Sequence, residues 1–156
     1  NPMIFRRYTL KIIFFFGITL CIAGCSDDVD FTPPAGNTET AITHYSFGKM
    51  VIDGQDQVSD LVILPGGKVR YWGFDPDNNH IFSKKIIEDL ITDKVKAIII
   101  GTGYNGAASL NNEAQELVEQ IRGKGIQVHI MPTSKAVKLF NASSKKGLLA
   151  CFHLNC

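Results

Sequence analysis

The 156-residue sequence reads as an α/β fold, a β-rich N-terminal half packed with a βαβαβ unit behind it. Three observations carry this. Short apolar runs separated by turn residues crowd the front half. From Ile86 onward the apolar period becomes that of helices. Strand-like runs then alternate with the helical stretches, which implies parallel strands joined by right-handed crossovers.

In the front half, His44–Phe47 and Lys49–Ile52 are short strand candidates, and Asp53-Gly54 is a turn signal. Ser59–Leu64 holds the run Leu61-Val62-Ile63-Leu64, long enough for a buried strand. Pro65-Gly66-Gly67 turns the chain. Lys68–Trp72 then alternates polar and apolar residues as a half-buried strand does. Asp75–Asn79 is rich in Asp, Asn and Pro and reads as a loop.

In the back half, Ile86, Ile87, Leu90 and Ile91 share one helical face, with Ser83 placed to cap it. Ala97–Ile100 is continuously apolar, as in a strand covered on both faces. Ala114, Leu117, Val118 and Ile121 recur at i, i+3, i+4 and i+7, a second helix ended by Gly123 or Gly125. Ile126–Met131 is a strand. Ser134 opens a third helix carrying Ala136, Val137, Leu139 and Phe140. Leu148–Leu154 is the final strand.

The first residues address the chain rather than fold with it. Arg6, Arg7 and Lys11 precede an apolar run from Ile12 to Ile22. That run is short of the ~20 residues a membrane-spanning helix needs and has the length of a signal-peptide core. It ends in Ile22-Ala23-Gly24-Cys25, which resembles a bacterial lipobox. Residues 1–24 are therefore expected to be a signal peptide and Cys25 the lipidated N-terminus. Loss of Arg6, Arg7 and Lys11 leaves 13 Lys+Arg against 15 Asp+Glu, so lipid rather than charge would bind the membrane. Ser26 after the cysteine fits onward sorting in a Gram-negative envelope, with outer and inner membranes both open. Residues 25–40, rich in Asp, Pro and Ser/Thr, read as a flexible tether to a domain over 41–156.

Composition excludes other classes. Gly is 14 of 156 and charge is 20%, which rules out fibrous and globally disordered chains. A net charge of +1 gives no broad footprint for nucleic acid.

Several motifs resemble one family when taken in order. They are Tyr45-Ser46-Phe47-Gly48, Leu64-Pro65-Gly66-Gly67, Ile100-Gly101-Thr102-Gly103, Gly125-Ile126 leading to Met131-Pro132-Thr133, Ala136 with Phe140-Asn141, and Phe152-His153-Leu154-Asn155-Cys156. Together they resemble the Mth-nine-three-eight-like domain family, whose relatives include the adipogenesis-associated domain protein and a mitochondrial complex I assembly factor. The resemblance implies a three-layer α/β fold with a central mixed sheet, no established enzymatic activity and no established cofactor. The family is mostly intracellular. If the leader is not a signal, the resemblance points to a cytoplasmic respiratory-complex assembly factor.

The sharpest chemical motif is Gly101-Thr102-Gly103-Tyr104-Asn105-Gly106, a G-x-G-x-x-G after a buried strand. The acidic partner expected about 20 residues on is missing from Gly125–Met131, and the following helix starts late, near Asn111 or Asn112. A tight loop that needs glycine is the plainer reading. A nucleotide- or small-ligand-binding enzyme using Gly101–Gly106 remains the alternative. A polar cleft or partner surface at the carboxyl ends of the strands would use Gly101, Thr102, Gly103, Tyr104, Thr133 and Asn141.

No metal site is expected. Cys151, His153 and Cys156 lack a recognised zinc spacing, Cys156 should point away from the other two, and His129 should lie on a solvated or loop-satisfied side of its strand. A Cys151–Cys156 disulfide on one strand is geometrically poor. No serine sits in a G-x-S-x-G elbow. Trp72, with Tyr71 and Phe74, fits core or rim packing. The functional expectation is a non-enzymatic, lipid-anchored domain that binds a protein partner or assists assembly.

Overall fold

The computed structural model describes residues 28–72 and 80–156. The leader, Cys25 and the loop at Asp75–Asn79 lie outside the described residues. Eleven strands and three helices follow one another in these two stretches.

The front half is a meander of β1 (Val29–Asp30), β2 (Ile42–Ser46), β3 (Lys49–Ile52) and β4 (Gln55–Gln57), in that spatial order and antiparallel throughout. Asp53 and Gly54 both have positive φ, +49° and +77°, the conformation of a two-residue hairpin turn whose twist matches its strands. That turn forces Gln55–Gln57 back alongside β3 although its residues are all polar. Sequence patterning gives β4 no signal for this reason.

The central sheet has the order β10 (Gln127–Met131), β8 (Ala97–Thr102), β11 (Leu148–His153), β5 (Leu61–Ile63), β6 (Val69–Tyr71). β8 runs parallel to both β10 and β11, whereas β5 pairs antiparallel with β11 and β6. The sheet is mixed, as expected. β7 (Ile81–Phe82) and β9 (Ser109–Leu110) form a separate two-residue parallel pair.

Alternating side chains of the central sheet fill two cores, which makes the domain three layers. On one side, Val62, Ile98, Ile100, Leu149 and Cys151 pack under α1 (Lys84–Glu88) and α2 (Asn112–Gly123). On the other, Ile99, Ala150, Phe152, Leu61 and Ile63 meet α3 (Thr133–Ala142) and the front sheet through Ile42, Tyr45, Met50 and Ile52. α2 starts as expected, with the Asn111 side chain accepting from the Ala114 amide at 2.9 Å. Gly125, at φ +82°, turns the chain into β10.

Three local expectations are corrected. α1 is only five residues long, and Ser83 precedes it without a side-chain capping bond. α3 starts at Thr133, not after Ser134. The Pro132 carbonyl accepts from the Lys135 and Ala136 amides, both at 3.0 Å, so Pro132 occupies the cap position and Ser134 lies inside the first turn.

The tether is the third. Val29 and Asp30 pair with Tyr45 and His44, Val29 is buried in the core, and the Phe31 amide donates to the Thr43 carbonyl at 3.0 Å. One apolar side chain among acids is enough to dock a segment that its composition marks as spacer.

Candidate functional site

The carboxyl ends of β8 and β11 meet the start of α3 and the segment after β11. Close contacts at two glycines explain why the chain can come so near here. A Cβ at Gly101 would lie 2.7 Å from Thr133 Oγ1 and 2.9 Å from Phe152 Cδ1. One at Gly103, where φ is +99°, would lie 2.3 Å from the Asn155 carbonyl and 2.7 Å from that of Cys156. Gly103 admits the protein's own backbone, and Gly101 admits the side chains of Thr133 and Phe152.

The loop's amides are accordingly used within the chain. Gly103 N donates to Thr133 Oγ1 at 2.9 Å, Tyr104 N to the Asn155 carbonyl at 3.1 Å, and Gly106 N to the Gly103 carbonyl at 3.2 Å. Ala107 N donates to the Cys156 carbonyl and Ala108 N to the Thr102 carbonyl. A phosphate cradle needs several such donors aimed outward. Here residues 155–156 take the place a pyrophosphate would need. The G-x-G-x-x-G pattern marks a clasp for the chain's own segment after β11.

The clasp continues on the other side. Gly48 N and Tyr45 OH both donate to the Leu154 carbonyl, at 2.9 and 3.2 Å, and Leu154 N donates to Asp60 Oδ1 at 2.7 Å. Thr133 is fully buried. Its hydroxyl donates to the His153 carbonyl at 2.8 Å while accepting from Gly103.

Of the expected cleft residues, Gly101, Thr102, Gly103, Tyr104 and Thr133 do come together, but they are largely enclosed. Thr102 is buried. Tyr104 is half-buried, with its ring 6.2 Å from Tyr45 and 5.8 Å, edge-on, from exposed Phe47. Asn141 is elsewhere. It lies near the far end of α3, ~12 Å of helix away from Thr133, where it binds the Ile42 backbone. Two surface concavities also lie away from the glycine loop. One, of about 810 Å³, follows α2 beside Gln115, Glu119 and Arg122, and one, of about 590 Å³, adjoins Lys94, Lys96 and Lys145.

Lys145 is no solvated basic residue. Its ammonium donates to the Phe140 carbonyl at 2.8 Å and the Ser143 carbonyl at 2.5 Å and sits 4.6 Å from the Phe140 ring centroid. Burial lowers its pKa from the ordinary lysine value, partly offset by Glu39. Trp72 packs against Phe82, ring centroids 4.9 Å apart, as expected of a core or rim residue.

The titratable groups assort differently from the sequence expectation. Cys151 and Cys156 are both free thiols. Cys151 is buried among apolar side chains, which pushes its thiol pKa up to about 12. His129 is half-buried on β10. Cys156 turns toward His80, with Sγ 3.7 Å from His80 Nε2, and the His80 and His153 rings meet edge-on at 5.4 Å. Buried His153 holds Asp60 through Nδ1 at 2.7 Å. His80 has no sequence signal, because the fold brings it from 76 residues away. The left-handed φ of Cys156, +53°, takes its side chain off the line of β11.

The class so defined is a mixed α/β domain whose glycine loop grips its own chain and whose strand ends gather two imidazoles, a thiol and a carboxylate. The chain belongs to the family described as protein of unknown function (DUF498/DUF598), whose model matches residues 42–153. It is similar to the conserved hypothetical protein PH1505 from Pyrococcus horikoshii, at 29% identity and a TM-score of 0.65 over 74% of this chain and 98% of that one. A Bordetella pertussis protein described as a Mth938-like domain shares the fold at 13% identity and a TM-score of 0.58, over 81% and 93% of the two chains. So does an outer membrane protein from Bartonella henselae, at 18% identity and a TM-score of 0.53, over 76% and 97%. The family resemblance of the motifs and the fold expectation both hold.

Proposed function

We propose that this protein is a cell-envelope lipoprotein. Its signal peptide, residues 1–24, is removed, Cys25 carries the lipid, and its domain acts by binding a protein partner or assisting assembly, without catalysis of its own. The observation that carries the reading is the lipobox Ile22-Ala23-Gly24-Cys25 directly behind a basic and apolar leader. Two features support it. The apolar run Ile12–Ile22 is shorter than the ~20 residues a membrane-spanning helix needs, so attachment would fall to the lipid. One fold relative, from Bartonella henselae, is described as an outer membrane protein.

The docking of β1 sets the geometry of attachment. Only Ser26, Asp27 and Asp28 separate Cys25 from Val29, a reach of at most ~13 Å when fully extended. The domain then rides on the membrane surface, with β1 and the front sheet nearest to it. The exposed Phe47 against half-buried Tyr104 offers an aromatic contact for a partner.

The test is the intact mass of the protein from the membrane fraction of its native host, beside Cys25→Ala. Cleavage before Cys25 with added acyl chains is the expected result, and Cys25→Ala should stay unprocessed. An unmodified, soluble chain would overturn the anchor and leave the intracellular assembly role.

A further inference from the structure

We propose that His80, His153 and Cys156 form a site for a borderline-soft divalent transition metal of which zinc is the type, with Asp60 as its outer carboxylate. One ligand atom from each of the three residues lies within 4.8 Å of the others. Two imidazoles and a thiolate are the donor set that such ions prefer over hard cations.

The distances suit a tetrahedral ion. Bonds of about 2.0–2.1 Å to nitrogen and 2.3 Å to sulfur put neighbouring donors roughly 3.3–3.7 Å apart. His80 Nε2 and Cys156 Sγ already stand 3.7 Å apart. With all three ligand atoms within 4.8 Å, no pair has to close by more than about 1.5 Å, and His80 is exposed and Cys156 half-buried, so neither is locked in the core.

The surroundings are those of a ligating histidine. Asp60 Oδ2 holds His153 Nδ1 at 2.7 Å, which assigns Nε2 to the cluster. The same carboxylate is fixed by the Leu154 amide at its other oxygen, 2.7 Å away. A carboxylate that orients a histidine through its second nitrogen is the recurring outer shell of metal sites. The thiol and the carboxylate engage different rings, the thiol His80 and the carboxylate His153. A Cys–His–Asp relay would need them in series on one imidazole, whereas a metal uses both rings at once.

The clasp around residues 154–156 preorganises the site. Gly103 leaves room for the Asn155 and Cys156 carbonyls and for His153 Cδ2, which a Cβ would approach to 2.9 Å. Binding converts the Cys156 thiol to thiolate and releases its proton to solvent. Three protein ligands leave a fourth position for water or for a donor from a partner. The inference stands apart from the lipid anchor, since none of its residues belongs to the leader.

The probe is Co²⁺ added to the full chain in detergent, freed of metal and kept reduced. The expected result is one Co²⁺ per chain with a thiolate-to-cobalt charge-transfer band, displaced by Zn²⁺. Cys156→Ser should abolish the band. His80→Ala, at an exposed position that should leave the fold intact, should weaken binding at least tenfold. Asp60→Asn should weaken it about 10–100-fold. No band from a chain whose circular dichroism is that of a folded α/β protein would overturn the proposal. So would a band that survives Cys156→Ser, or His80→Ala binding as tightly as the parent. Uptake of Cu⁺ with no Co²⁺ or Zn²⁺ binding would overturn the assignment to a divalent ion.

Discussion

Asn141 holds both ends of one residue, Ile42: its Oδ1 accepts from the Ile42 amide at 3.0 Å, and its Nδ2 donates to the Ile42 carbonyl at 2.8 Å. The pairing of β2 with β3 is irregular between Ile42 and His44. A bulge leaves backbone groups without regular ladder partners, and a side-chain amide on α3 supplies them from 99 residues away. The clamp fastens the front sheet to the helix beneath it.

Asn141→Ala should therefore destabilise the domain by about 1–3 kcal/mol, the cost of leaving Ile42's polar groups unsatisfied. Chemical denaturation checks this. Asn141→Asp keeps the acceptor half of the clamp but sets a carboxylate oxygen against the Ile42 carbonyl, so it should also destabilise.

Thr133→Val keeps the shape of the buried side chain and removes its hydroxyl. Gly103 N and the His153 carbonyl then lose a shared partner. The expected loss is about 2–4 kcal/mol for the two groups together, read from the denaturation midpoint at unchanged slope.

Gly103→Ala meets two carbonyl oxygens at distances no relaxation of a side chain can relieve. It also strains a positive φ. A loss on the order of 2–4 kcal/mol is expected. Hydrogen exchange should quicken at the Leu154 amide, which the displaced segment would pull away from Asp60.

Cys151 predicts an alkaline limb. Its folded pKa, about 12, lies above the ordinary thiol value of 9.0. The unfolded chain releases this proton first as pH rises, so the contribution is whole below pH 9 and is lost between about 9 and 12, up to roughly 4 kcal/mol. Cys151→Ala should flatten that part of the stability curve while lowering stability at neutral pH. Equal slopes in the two proteins would contradict the assignment.

Val29→Asp should free the docked segment without unfolding the rest. The expected sign is rapid proteolysis within residues 28–40 while the fragment from Ala41 onward stays resistant, followed by mass spectrometry of the digest.

Elements whose residues state their own period were legible in the sequence. Ala97–Ile100 is apolar because both faces of β8 are covered, and α2 carries its stripe and its Asn111 cap in plain view. The polar β4 and the two-residue β7 and β9 exist only through the partners the fold brings to them. The G-x-G-x-x-G spacing correctly marked a close backbone approach, but spacing alone does not say whether the guest is a phosphate or the protein's own carbonyls. His80 stayed hidden because a cluster assembled from β11, the segment after it and a residue 76 positions earlier has no local pattern.

The place of β11 has a temporal meaning. Leu148–His153 lies between β8 and β5 and joins the parallel and antiparallel halves of the central sheet, yet it is synthesised after all the other described strands. Until it emerges from the ribosome, β5 and β8 each lack a neighbour and neither core can close. Such dominance of distant pairings slows folding. On the export route proposed above, that delay would keep the chain pliable until its keystone arrives on the far side of the membrane.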